Sequence, residues 1–254
     1  KKETIAGITT EQYRFNASNS NLPIYSFNKN VGEKNIVFEI TSSTIDSDKI
    51  FEEDPLPGNS LAFLYREDGK GAGSSNSGYF VHFRQGVMDT GNFNIDNPTT
   101  NQAVAIDTTN INNSDVWLYK LDSNGNEQQL WTKVDAVEGN NVIYNSVSKS
   151  NRNLYAVQSR IDDRISLLFA DGTFGALPKG NFRCYFRKGL GSKFTINPED
   201  LTNVTISVPY TSRAGTAETF TFVSSLKYTV DNASGPETNK SIKENAPSTY
   251  YTQN

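Results

Sequence analysis

One cysteine, one methionine, one histidine and two tryptophans are all that this 254-residue chain holds of those four residue types. A lone cysteine, Cys184, excludes an internal disulfide and any zinc site built on thiolates. It falls in the aromatic run from Phe182 to Phe186, where it reads as a small buried hydrophobe. A redox or nucleophilic role would require a low-pKa setting, and no histidine lies nearby in sequence. The single histidine, His82, stands between Val81 and Phe83 in strand-like sequence. That excludes a polyhistidine metal site and argues against a Ser-His-Asp or Cys-His device, leaving packing or one hydrogen bond as its use. No apolar run approaches the roughly 18 residues of a membrane span. The opening Lys1-Lys2-Glu3-Thr4 has neither a methionine nor a signal-like apolar region, so the chain is expected to be soluble and entered mid-sequence. Basic residues (24) are slightly outnumbered by acidic ones (28), giving a net charge of −4. They are also scattered, so no electrostatic footprint for nucleic acid is visible.

Other chemistry is equally thin. Carboxylates can act as acid and base without histidine, and Glu52, Glu53, Asp162 and Asp163 are the candidates. Adjacent acids on a strand or turn diverge, however, and nothing brings two of them to the roughly 5 to 10 Å of a glycosidase pair. The loop Gly69-Lys-Gly-Ala-Gly-Ser-Ser-Asn-Ser-Gly78 lacks the phosphate-binding spacing and has no helix after it to supply amide donors, so it reads as a mobile surface loop. Asp122-Ser-Asn124-Gly125-Asn126-Glu127 echoes a calcium loop, but Glu127 stands where glycine is required, and strand-like flanks make it a hairpin turn. The sequence therefore implies no enzyme, cofactor, metal or small-molecule substrate.

What is present is short β-prone runs separated by polar turns. Strand pairs are expected at residues 24–27 with 36–40, at 61–65 with 78–84, and at 116–121 with 129–134. Further strands are expected at 103–107, 143–147, 154–158, 165–169, 182–186, 204–208 and 220–228. Spacings near ten residues fit a mainly β chain of one or two sandwich-like or barrel-like domains with a short C-terminal helix at 238–245. The expected organisation is a loosely held polar segment at 1–22, a β-rich domain at 23–160 and a second at 161–254. One helical turn is expected at 47–53, before Pro55 and Pro57. In the run Val116-Trp117-Leu118-Tyr119, alternation places Trp117 and Tyr119 on one face and Val116 and Leu118 on the other, so both faces must be covered.

The most punctuated stretch is Phe169-Ala170-Asp171-Gly172-Thr173-Phe174-Gly175-Ala176-Leu177-Pro178-Lys179-Gly180, followed by a strand ending Tyr185-Phe186-Arg187-Lys188-Gly189-Leu190-Gly191. Glycine supplies positive φ, proline presets a turn, and aspartate bonds back to nearby amides. Gly172 and Gly175 are expected in conformations that other residues disfavour. The stretch resembles the hallmark of the baseplate J-like family of contractile phage tails, with Ala170 in place of its first glycine. The block from Asp231 to Glu237, then Ile242 to Pro247, resembles that family's downstream segment. Within the family, residues 116–134 are most similar to the wedge subunit of T-even-type baseplates. The resemblance implies a virion protein of the tail baseplate, here a fragment lacking a further domain. Its partners would be other copies of itself and other baseplate wedge subunits, in a ring that rearranges as the sheath contracts. It also implies a purely structural role for Asp171, Gly172, Gly175, Pro178 and Gly180. The alternative is a carbohydrate-binding β-sandwich module, with Trp117, Trp131, Tyr119, Tyr25 or Tyr79 stacking on sugar rings.

Overall fold

The computed structural model describes residues 2–5, 8–16, 26–46, 49–52, 60–67, 78–137, 152–191 and 195–231. The strands are β1 (Lys2–Ile5), β2 (Ile8–Asn16), β3 (Ser26–Val31), β4 (Lys34–Thr41), β5 (Ser43–Asp46), β6 (Lys49–Glu52), β7 (Ser60–Glu67), β8 (Gly78–Phe80) and β9 (His82–Gln85). They continue as β10 (Val87–Ile95), β11 (Ala103–Ile106), β12 (Ile111–Leu121), β13 (Glu127–Lys133), β14 (Leu154–Ser159), β15 (Ile165–Phe169), β16 (Gly180–Lys188), β17 (Val204–Thr211) and β18 (Ala217–Ser224). The chain is mainly β. Among the described residues the helical content is one 3-10 turn, Ile161–Asp163. The helix expected at 238–245, the strand expected at 143–147 and the interior of the loop 69–78 lie outside the described residues.

The middle of the chain forms a seven-stranded sheet in the order β10-β16-β12-β13-β14-β15-β11. Every pairing is antiparallel except β13 with β14. The sheet curls into a nearly closed barrel: a Cβ built on Gly91 of β10, one end strand, would lie 3.8 Å from Ile106 of β11, the other. Period-two alternation sends Val116, Leu118, Phe182, Cys184 and Phe186 inward with Ile165, Leu167 and Phe169. Trp131 stands at right angles to Phe169 and Phe182, with centroids 5.5 and 5.3 Å away, geometry that aromatic rings favour.

The second core lies in a sandwich of β3-β4-β9 against the hairpin β17-β18. In β17 the alternation is complete, with Val204, Ile206 and Val208 buried and the residues between them exposed. Phe63 of β7 joins this core against Phe222, with ring centroids 4.9 Å apart. The sandwich is thus assembled from residues 26–85 and 196–230, and the barrel-like unit, 87–188, is inserted between them.

That insertion corrects the expected organisation. A boundary between 160 and 161 would cut the ladder in which β14 pairs with β15 from Tyr155↔Phe169 to Ser159↔Ile165, because residues 160–164 are a turn within one sheet. Residues 1–22 are not a loose polar segment throughout. The β-branched and aromatic residues of Ile8–Asn16 form β2, which pairs with β1 and with β7. The expected helical turn at 47–53 is replaced by β6, where Ile45 and Ile50 oppose each other across the β5-β6 pair. β-Branched residues favour that pairing over a single helical turn. Among the described residues, no helix is long and apolar enough to cross a membrane.

Candidate functional site

The punctuated loop joins β15 to β16, which are not neighbours in the sheet. It runs from the β11 side of the barrel opening to the β10 side. Asp171 begins it with an Asx turn, its Oδ1 accepting the N–H groups of Thr173 (2.8 Å) and Phe174 (3.1 Å). Those amides, Phe174 first, hold its carboxyl below the usual carboxylate range. Gly172 follows at φ 89°, a region L side chains avoid. Arg152 clasps the turn from outside: its Nη2 donates to the carbonyls of Gly172 (2.6 Å) and Thr173 (3.0 Å). Its own carbonyl accepts the N–H of Ala176 at 2.6 Å.

Gly175 departs from expectation, since its φ is not positive. It is required for space: a Cβ there would sit 2.5 Å from Ala170 Cβ and 3.3 Å from the Arg152 carbonyl. Ala170, the departure from the family hallmark, is fully buried against Val134, Val137, Leu154 and Ala156. Pro178 is buried, and Gly180 opens β16 at φ 103°. The structure therefore brings Asp171, Gly172, Gly175, Pro178 and Gly180 into one corner whose polar groups bond to its own backbone. The loop between β10 and β11 ties it across the opening, with Phe169 donating to the Gln102 carbonyl (2.9 Å) and Asn101 to that of Ala170 (3.3 Å).

At the far end of β16 lies the part that sequence reading left without a role. Arg187 donates through Nε and Nη2 to the two oxygens of Glu39 on β4 (2.7 and 2.9 Å) and through Nη1 to Asp115 on β12 (2.7 Å). Asp115 also accepts from Arg84 Nη1 on β9 at 2.8 and 3.1 Å and from Asn112 Nδ2 at 3.1 Å. Arg187, Glu39 and Asp115 are 3, 5 and 2% exposed. The Arg187 guanidinium also lies 5.8 Å from the Trp117 ring centre. Burial works against its charge, but the hydrogen bonds and charges of Glu39 and Asp115 outweigh burial and raise its pKa above the ordinary arginine value. The sequence did carry a signal: Glu39 is an acid inside Ile36-Val37-Phe38-Glu39-Ile40, and a charge in a buried run must find a partner.

The remaining candidates are accounted for locally. Asp162 and Asp163 take positive φ at a turn, with Asp162 only 3.8 Å from Arg164. No side-chain geometry is described for Glu52, and Glu53 lies outside the described residues. Asp122 spends its carboxylate on the amides of Asn124 and Asn126, both at 2.8 Å, in the β12-β13 hairpin turn. Among the described residues no cluster of three metal-ligating side chains occurs. His82 Nδ1 is 2.9 Å from Ser43 Oγ. Cys184 is fully buried, and burial pushes its thiol up to about 12. Trp117 and Trp131 are 7 and 3% exposed, which leaves neither indole face open to a sugar. The two faces of β12 are covered as alternation requires, Val116 and Leu118 in the barrel core and Trp117 against Met88 and Tyr185. Tyr25 lies outside the described residues, and exposed Tyr79 packs on Tyr65 with centroids 5.2 Å apart.

No curated protein and no solved structure matches the chain. A family model described as a domain of unknown function (DUF8360) matches residues 1–229. With most of its length so matched, the chain belongs to the DUF8360 family.

Proposed function

We propose that the protein is a structural component of a contractile-tail baseplate, a wedge subunit resident in the virion. In this reading it helps to build the ring and takes part in the rearrangement that accompanies sheath contraction, with copies of itself and other wedge subunits as its partners. One observation carries the reading: the residues that bear the resemblance are spent on shape. Asp171, Gly172, Gly175 and Gly180 fix a corner across the barrel opening, and Arg187 is spent on a buried bridge to the other unit. A part that transmits force needs stiff β units and a defined angle between them, and it needs no cleft with convergent acid and base groups. The carbohydrate-binding alternative requires an open aromatic face, and both indoles are buried.

Co-expression with the products of neighbouring genes, followed by sedimentation, tests the proposal. Stable complexes with itself or with those products, of the size that interfaces of about 2,000 Å² or more sustain, are expected. A full-length protein that stays monomeric throughout, or that binds a glycan in titration, overturns it.

A further inference from the structure

We propose that Glu39, Arg187, Asp115 and Arg84 form an orientational lock between the sandwich and the inserted barrel-like unit, and that the two glycine-bearing crossovers beside them are its hinge. The inference does not depend on the baseplate reading. The apolar cores of the two units are separate clusters, one confined to residues 95–186 and the other to residues 36–63 and 196–208 with their partly buried neighbours. Among the described residues, buried ion pairs join the two units: Glu39 and Arg84 belong to the sandwich, and Arg187 and Asp115 to the inserted unit.

An ionic seam behaves differently from an apolar one. Its bidentate geometry admits one arrangement, because the guanidinium fork meets both Glu39 oxygens only when the units sit at one angle. When the seam opens as a whole, water rehydrates every charge, so opening costs far less than exposing an apolar surface of the same area. High angular specificity with a low cost of separation is the behaviour of a lock.

The crossovers suit a hinge. The chain enters the inserted unit through Gly86 at φ 146° and leaves it through Gly189 and Gly191, the latter at φ 61°. Gly86 lies against the other crossover: a Cβ on it would come 3.0 Å from the Lys188 carbonyl and 3.1 Å from Arg187 Cγ. The two connections are thus adjacent, and rotation about them moves one unit against the other without tearing either sheet.

The test is a distance distribution by pulsed electron paramagnetic resonance between spin labels at Val223→Cys on the sandwich and Ile161→Cys on the inserted unit. Both positions are exposed, at 62 and 84%, and native Cys184 is buried beyond reach of the label. The parent should give one narrow distribution. Glu39→Gln, which keeps shape and removes one charge, and Arg187→Met, which removes the fork, should each shift or broaden it while far-UV circular dichroism stays that of the parent. A distribution unchanged in folded variants overturns the proposal. So does loss of fold in both variants, because the cluster would then be part of a shared core and not a seam between two units.

Discussion

Arg187 bridges Glu39, a residue 148 positions earlier in the chain, to Asp115, 72 positions earlier, and all three are almost wholly buried. Their mutual dependence is measurable. Removing one partner strands a charge in the closed arrangement, so Glu39→Gln and Arg187→Met should each destabilise it, and because opening the seam hydrates that charge the loss in chemical denaturation should not exceed about 3 to 5 kcal/mol. The double variant leaves fewer stranded charges and should cost less than the sum, with a coupling of roughly 0.5 to 3 kcal/mol. Strict additivity would show that the bridge is energetically idle.

Local pattern made the strands legible, and long-range pairing was not. Alternation in β17 and the Asp122 turn between β12 and β13 can be read because each is settled within a dozen residues. The insertion cannot be read this way, because Ile36 and Ile206 share a core only after 87–188 has folded out between them. The corner was half legible. Gly172 has the positive φ that its setting in Asp-Gly suggests, whereas Gly175 answers to a contact with Ala170 that only the folded loop creates. Arg187 was in view as part of a motif, but its partner Glu39 lies on another unit.

Cys184 provides a probe of the barrel core. Burial pushes its thiol up to about 12, so in the native protein the reactive thiolate is scarce and the sulfur is out of contact with solvent. Alkylation at pH 8 should therefore proceed only through unfolding and should accelerate with denaturant in step with the loss of native signal. The folded-state pKa lies above the unfolded value, so this group's contribution to stability is complete below about pH 8.5 and declines as pH rises toward about 12. Rapid stoichiometric labelling of the native protein would show an open core.

Asp171 behaves oppositely. The amides of Phe174 and Thr173 lower its pKa, so its contribution to stability is present above the unfolded value of about 3.9 and is lost as pH falls through the lower folded value. Asp171→Asn keeps an acceptor oxygen but does not titrate, so its stability should fall less steeply than the parent's below about pH 4. Acid titrations followed by circular dichroism, with Asp122 and Asp89, the other depressed carboxyls among the described residues, left in place, provide the comparison. Superimposable acid limbs would mean that the ionisation of Asp171 adds nothing to the stability of the turn.

The two glycines of the corner should respond to substitution for different reasons, and a second-site change separates them. Gly172→Ala forces a side chain into φ 89°, with the new Cβ 3.2 Å from Leu177 Cγ, and should cost about 1 to 2 kcal/mol wherever its neighbours move. Gly175→Ala meets no φ penalty, but its Cβ would lie 2.5 Å from that of Ala170, an overpacking worth about 1 to 3 kcal/mol. Removing the opposing methyl relieves only the second clash. Ala170→Gly should therefore rescue much of the Gly175→Ala loss and none of the Gly172→Ala loss. Denaturation midpoints of the two double variants decide the matter: equal rescue, or none in either, would mean that the close approach of residues 170 and 175 does not govern the shape of this corner.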